Sequence, residues 1–157
     1  DDIIVAEKGA TAQLVEVFHQ YGASVIAVEE VLGPQIQSYG VIMPEPVAEG
    51  VFRVRGTVEK PALADAPSNL GIVGRYILTP EIFGALARVK PGALGEIQLT
   101  DGIGLLLQSQ SVYALRFQGF RYDVGNPLGL LKASIELALQ REDMGPALTE
   151  FLKQLVD

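Results

Sequence analysis

The chain of 157 residues has no cysteine, so disulfides, thiolate metal sites and a cysteine nucleophile are excluded, and redox chemistry does not fix a compartment. Its one histidine, His19, falls in helical sequence beside Phe18, with no serine or aspartate placed to complete a triad, and reads as structural. Positive charge is also scarce. Twelve scattered Lys and Arg stand against nineteen Asp and Glu, a net charge of -7 that leaves no electrostatic footprint for a nucleic-acid backbone. Apolar runs such as Val25 to Val28 and Leu105 to Leu107 fall far short of the roughly 20 residues of a membrane helix. The expectation is a soluble cytoplasmic protein with no nucleic-acid or membrane partner. The opening Asp1-Asp2-Ile3-Ile4-Val5 has neither the charged nor the long apolar region of a signal peptide, and it does not begin with Met. It reads as the end of a buried strand running into a loop, at a truncated start.

About half of the residues are apolar, enough for a single domain over residues 1–157. From Thr11 the period is helical, with Leu14, Val17, Phe18 and Tyr21 on one face and Gly22 at the C-cap position. Ser24 to Val31 reads as a buried strand, and a strand, helix, strand order with short connections predicts a parallel pair with a right-handed crossover, the unit of an α/β fold. Tyr39 to Met43 and Val51 to Val54 predict a β-hairpin around a turn at Pro44 to Gly50. A strand at Leu70 to Leu78 precedes Thr79-Pro80-Glu81, which suits an N-cap followed by proline at the first helical position, with the helix running to about Val89. Lys90 to Gly95 is the clearest long loop. It leads into a helix through Leu107 that Gly102 and Gly104 weaken. Short strands follow at Val112 to Phe117 and Tyr122 to Val124. Asn126-Pro127 opens a long helix carrying Leu131, Ile135, Ala138 and Leu139, and Gly145-Pro146 separates it from a last amphipathic helix.

Three elements stand at predicted strand ends, where an open α/β sheet binds ligands: Asp1-Asp2, Glu59-Lys60-Pro61, and Arg121 to Asn126. Paired carboxylates suit a hard cation such as Mg2+, which takes oxygen ligands and bridges substrate phosphates. Each element also has a plain reading: a solvated loop for Asp1-Asp2, a surface charge pair for Glu59-Lys60, a turn residue for Asp123. Gly40 and Gly74 interrupt strand-like sequence, which marks a bulge, a close backbone approach or tight packing. Gly71 to Gly74 is not a dinucleotide fingerprint, because it precedes a strand-like run instead of opening a helix.

Taken together, Ala27-Val28-Glu29-Glu30-Val31, Tyr39-Gly40-Val41-Ile42, Val58-Glu59-Lys60-Pro61, Ala66-Pro67-Ser68-Asn69-Leu70, Gly74 to Phe83, Gly95-Glu96-Ile97-Gln98-Leu99-Thr100-Asp101 and Arg121-Tyr122-Asp123-Val124-Gly125-Asn126 resemble the bacterial UTP:glucose-1-phosphate uridylyltransferases, also called UDP-glucose pyrophosphorylases. The run at Gly95 to Asp101 is the most specific. The resemblance spans essentially the whole chain and implies a Rossmann-like, three-layer nucleotide-diphospho-sugar transferase fold with a mixed sheet. It implies UTP and glucose 1-phosphate as substrates, Mg2+ as cofactor and a homo-oligomer. Residue by residue, it implies Mg2+ on Asp1 with Asp123 as a second contact, Lys60 as the catalytic cation on the sugar phosphate, Glu59 on glucose hydroxyls, and Gly40 and Gly74 where backbone approaches the sugar. In a regular strand Glu59 and Lys60 would point to opposite faces, so a twist or bulge before Pro61 is required. The family's Gly-rich, base-carrying loop that holds the triphosphate has no counterpart in this sequence. The chain thus reads as a C-terminal portion with an exposed sheet edge and no turnover of its own. A non-catalytic oligomerisation fragment and a glucose-1-phosphate thymidylyltransferase-like enzyme are the competing readings.

Overall fold

The computed structural model describes residues 1–91 and 95–156, so Gly92, Ala93 and Leu94, the middle of the loop expected at Lys90 to Gly95, lie outside the described residues. The elements are β1 (Asp2–Val5), α1 (Ala10–Tyr21), β2 (Ser24–Glu30), a 3-10 helix (Gly33–Ser38), β3 (Gly40–Ala48), β4 (Val51–Glu59), a 3-10 turn (Leu63–Asp65), β5 (Leu70–Ile77), α2 (Glu81–Leu86), α3 (Leu99–Leu106), β6 (Val112–Arg116), β7 (Phe120–Asp123), α4 (Pro127–Leu139) and α5 (Gly145–Val156). This is the mixed α/β composition that the sequence predicts. The chain divides into two compact units, a larger one over Ala6–Gly119 and a smaller one made of Asp1–Val5 with the chain from Phe120 onward. Among the described residues no helix is long and apolar enough to cross a membrane.

In the larger unit the strands run in the order β2-β5-β3-β4-β6 and close on themselves, with β2 parallel to β6 and every other pair antiparallel. The expected free edge is therefore absent from this sheet, because β4 turns back from the hairpin to pair Val51 to Arg53 with Leu115 to Tyr113. The hairpin is longer than the sequence suggests. Pro44 and Pro46 lie within β3, not in a turn, at two irregularities of register, and the turn itself is Glu49-Gly50. Proline is tolerated there because β3 meets β5 at Val41 and Gly71, whereas the segment carrying the prolines bonds to β4 alone. Ser24 to Val28 of β2 are all buried, as befits a strand covered on both faces. Helix α1 buries Leu14 and Val17 and ends as expected at Gly22, whose φ of 62° lets its N–H donate to Phe18 O at 2.7 Å.

One buried cluster joins Ile26, Val28, Ile42, Val54, Ile72 and Val112 of the strands to Ile82 and Ala85 of α2 and Ile103 and Leu106 of α3. Helix α2 is shorter than predicted. Beyond Leu86 the chain continues as single turns, Arg88 N–H to Ala85 O and Val89 N–H to Leu86 O. Thr79 does not cap it with its side chain. Its hydroxyl accepts from Gln110 Nε2 at 2.9 Å, and its N–H donates to the buried Ser24 Oγ at 3.0 Å, tying the helix start to β2.

In the smaller unit β1 pairs antiparallel with β7, Asp2 opposite Asp123 and Val5 opposite Phe120. Two expectations are corrected here. The opening residues do form a strand, but one exposed at alternate residues instead of buried, and no β1–β2 parallel pair exists among the described residues. The physical reason lies in the alternation: Asp2 and Ile4 turn inward while Ile3 and Val5 are exposed, which suits a half-covered two-stranded ribbon and not a strand buried on both faces. Asn126 caps α4 by accepting from Gly129 N–H at 2.8 Å, with Pro127 at the first position, as its sequence predicts. Of the expected apolar face of α4, Ile135 and Ala138 are half-buried while Leu131 and Leu139 are exposed, and the helix buries Ala133 instead.

Inside the ribbon, Arg121 Nε donates to Asp2 Oδ1 at 2.6 Å, and the two side chains are 11% and 9% exposed. Removing one partner leaves the other charge nearly buried without its counter-ion. Arg121→Ala is expected to destabilise the smaller unit by about 3 kcal/mol in denaturant unfolding. A loss below about 1 kcal/mol would mean that Asp2 is rescued by water.

Candidate functional site

Four of the six residues expected to carry chemistry lie in the larger unit, three of them, Gly40, Glu59 and Lys60, at the open end of the β3–β4 hairpin and Gly74 in β5. The register sets Gly40 opposite Glu59, so the last residue of β4 lies against the first of β3. Lys60 then leaves the strand with φ 44°, the left-handed region, where no other non-glycine among the described residues is found. An L-residue there costs roughly 1–2 kcal/mol, and the ring of Pro61 crowds it further. Its N–H is held by Tyr39 O at 2.9 Å, and Pro61 is buried. The sequence required a break in alternation at this point, and the turn supplies one. Lys60 Nζ lies 3.9 Å from Glu59 Oε1, a pair too long for a hydrogen bond, with Lys60 half exposed and Glu59 mostly covered.

Gly40 shows why glycine stands there. A β-carbon on it would sit 2.7 Å from Thr100 Oγ1 and 3.0 Å from Glu59 Oε2. The close approach that the sequence signals is thus made by the protein's own side chains. Thr100, at the start of α3, was visible only as a letter in the Gly95 to Asp101 run. It is buried, and its carbonyl accepts from Thr57 Oγ1 at 2.9 Å, which ties α3 to β4. Gly74 lies in an irregular stretch of β5: β2 advances from Ile26 to Val28 while β5 runs from Tyr76 back to Ile72, so the glycine occupies a bulge.

Asp1 and Asp123 belong to the smaller unit. Val124 N–H donates to Asp1 O at 2.8 Å, which places the first residue beside the end of β7. A β-carbon on Gly125 would lie 3.1 Å from Asp1 Oδ2 and 3.3 Å from Asp123 Oδ1, so two carboxylates face one position that a side chain would fill. Asp123 Oδ1 also accepts from Gly125 N–H at 3.0 Å, the turn-residue bond of its plainer reading. Among the described residues no group of three or more His, Cys, Asp or Glu is placed to hold a metal. Two carboxylates suit Mg2+, a hard cation that keeps several waters and shares substrate oxygens. The Asp-Asp pair thus divides its work, Asp2 being committed to Arg121. Asp123 also lines a cleft of about 430 Å³ with Tyr122, Asn126 and Lys132, whereas a cleft of about 790 Å³ in the larger unit, beside Lys8, Gln13, Glu49 and Arg116, includes none of the six residues.

A family model described as nucleotidyl transferase matches residues 1–140. The chain belongs to the nucleotidyl transferase family. It is 48% identical over 155 residues to the UTP–glucose-1-phosphate uridylyltransferase 2 of Staphylococcus saprophyticus, covering 99% of this chain and 54% of that protein. Among solved structures, a UDP-glucose pyrophosphorylase complexed with UDP-glucose matches with a TM-score of 0.85 at 39% identity, over 89% of this chain and 54% of that one. A UTP-bound UGPase from Acinetobacter baumannii matches with a TM-score of 0.82 at 31% identity, over 99% and 53%. This nucleotidyl transferase chain therefore spans about half the length of the curated relatives it matches. The uridylyltransferase resemblance read from its motifs is borne out.

In this nucleotidyl transferase Gly40→Ala is expected to displace Thr100 or Glu59. Thr100 is β-branched and stiff at χ1, so the clash does not relax freely. A loss of about 1–3 kcal/mol, the scale of overpacking, should appear in thermal unfolding. Replacing Thr100 by alanine in the same protein should recover much of it, and simple additivity of the two substitutions would show that the contact is not the cause.

Proposed function

We propose that the chain is part of a UTP:glucose-1-phosphate uridylyltransferase, in which a phosphate oxygen of glucose 1-phosphate attacks the α-phosphorus of UTP and pyrophosphate leaves. The observation that carries this reading is the left-handed turn at Lys60, which sets an ammonium group beside a carboxylate at one strand end. A ligand that bears both hydroxyls and a phosphate can use both groups. Glu59 accepts hydrogen bonds from glucose hydroxyls, and Lys60 offers the phosphate a compact, mobile charge. Gly74, exposed in β5, leaves backbone accessible to a sugar, whereas Gly40 serves indirectly, giving room to Glu59 and Thr100. In the smaller unit, Asp1 and Asp123 would hold Mg2+ with water, a cation that suits phosphate oxygens and neutralises their charge. No covalent intermediate with the protein is needed, since alignment and charge stabilisation carry transfer of this kind.

The relatives named for UTP, and the structures named for UDP-glucose and UTP, support uridine as the base. Belonging to the same proposal are the three-layer form of the fold and a homo-oligomer, the latter supported by the exposed Leu128, Leu131, Phe151 and Leu155 of α4 and α5.

In a full-length enzyme carrying these residues, Lys60→Ala should lower the rate of UDP-glucose formation by roughly a hundredfold or more, the scale of losing a preorganised charge-stabilising donor. Lys60→Arg should not restore it fully, since a planar fork does not replace a point charge. An ordinary exposed ion pair forecasts the reverse, at most about 1 kcal/mol of stability and no effect on rate. Steady-state kinetics, with thermal unfolding as the folding control, separate the two. Near-normal turnover in a folded Lys60→Ala enzyme removes Lys60 from the chemistry.

A further inference from the structure

The left-handed backbone of Lys60 must be held by something, because an L-residue followed by proline relaxes to negative φ when it is free. On one side Pro61 is buried. On the other the Lys60 N–H donates to Tyr39 O at 2.9 Å, and Tyr39 in turn closes the 3-10 helix Gly33–Ser38 through its own N–H to Ile36 O at 3.1 Å. The Tyr39 ring packs on the small buried cluster of Val31, Ile36 and Val41. Its seat is the backbone of Gly71, where a β-carbon would lie 3.1 Å from Tyr39 Cγ, 3.2 Å from Cδ1 and 2.8 Å from Val31 Cγ2. Gly71 itself is fixed by pairing with Glu29 of β2 and Val41 of β3. The space under the ring exists only because residue 71 has no side chain, and the ring belongs to the residue whose carbonyl holds Lys60.

We infer that Gly71 is a positioning residue for Lys60: it seats the Tyr39 ring, Tyr39 O holds the Lys60 N–H, and the ammonium group is thereby kept on the Glu59 side of the strand end. An alanine at 71 lifts the ring, the 2.9 Å bond lengthens, and Lys60 relaxes towards an extended conformation that turns Nζ to the opposite face. The functional consequence rests on the proposal that Lys60 meets the sugar phosphate, whereas the conformational one does not.

Two measurements on wild-type, Gly71→Ala and Tyr39→Leu chains test it. The first is the nuclear Overhauser effect between the Lys60 amide and α protons, which is strong at positive φ and weak in an extended residue. It should be strong in the wild type and weak in both variants. The second is calorimetric titration with glucose 1-phosphate. Gly71→Ala should weaken binding by about tenfold or more, as expected for losing a charge-assisted contact, and should add nothing further once Lys60 is already alanine. A strong Lys60 signal retained in folded Gly71→Ala overturns the inference, as does a loss of affinity that adds in full to that of Lys60→Ala. Should Gly71→Ala fail to fold, Tyr39→Leu decides by the same two readings. A wild-type chain that shows the strong Lys60 signal but does not bind glucose 1-phosphate refutes the proposed ligand and leaves the positioning role standing.

Discussion

The pairing of Gly40 with Glu59 across β3 and β4 is the constraint on which the larger unit's candidate site depends. Because antiparallel pairing alternates the faces of both strands, this register decides at once that Glu59 lies over a residue without a side chain, and that Thr100 of α3 closes the third side. The same hairpin also closes the sheet. β4 continues from Glu59 back through Val54 to Val51, where it bonds to β6, so a slip by one residue would misplace the carboxylate and reverse the faces of the strand that completes the closed sheet. Stability and site geometry are fixed by one set of backbone bonds.

The elements that the sequence announces well are those with local causes. Gly22 ends α1 because only a left-handed residue makes that bond, and Asn126-Pro127 starts α4 because cap and proline act within one turn. What the sequence conceals depends on partners far along the chain. Pro44 to Gly50 has the composition of a turn, yet most of it is strand, since only the pairing of β3 reveals that those prolines owe no second ladder. Ile3 to Val5 look like a strand buried on both faces, and it is the partner strand at Phe120 to Asp123 that leaves one of them open. Of the candidate site, Glu59 and Lys60 were legible as residues, and the break between them as a necessity. Thr100 and Tyr39 were legible only as letters within motifs, because their roles arise from contacts across the fold.

The adjacent aspartates show how one short motif can place two carboxylates in different surroundings. Successive residues of a strand face opposite sides, so an Asp-Asp pair at its start cannot place both carboxylates together. Asp2 turns inward to Arg121, where desolvation demands a counter-ion, and Asp1 is left to meet Asp123 over Gly125. Read as a pair, they suggest a two-carboxylate cation site on their own. Read through the strand, they give one carboxylate paired with Arg121 and one that faces Asp123 at the end of β7, the pair to which the proposed cation site is assigned.

Lys60 sets local propensity against position. A glycine at this position would relieve the left-handed strain, and asparagine would tolerate it better than lysine does, so backbone energetics alone do not select lysine there. Neither does the neighbouring ion pair, since 3.9 Å between half-exposed and partly covered groups stabilises little. A residue that is costly to its own backbone and gains little from its contacts within the chain persists only where the surrounding structure over-determines the strain, and such residues cluster at ligand sites, which is what supports the role proposed for Lys60. Buried Pro61 on one side and the Tyr39 carbonyl on the other supply that over-determination. The strain at Lys60 therefore supports the proposed site at this end of the hairpin more strongly than the identity of the residue does.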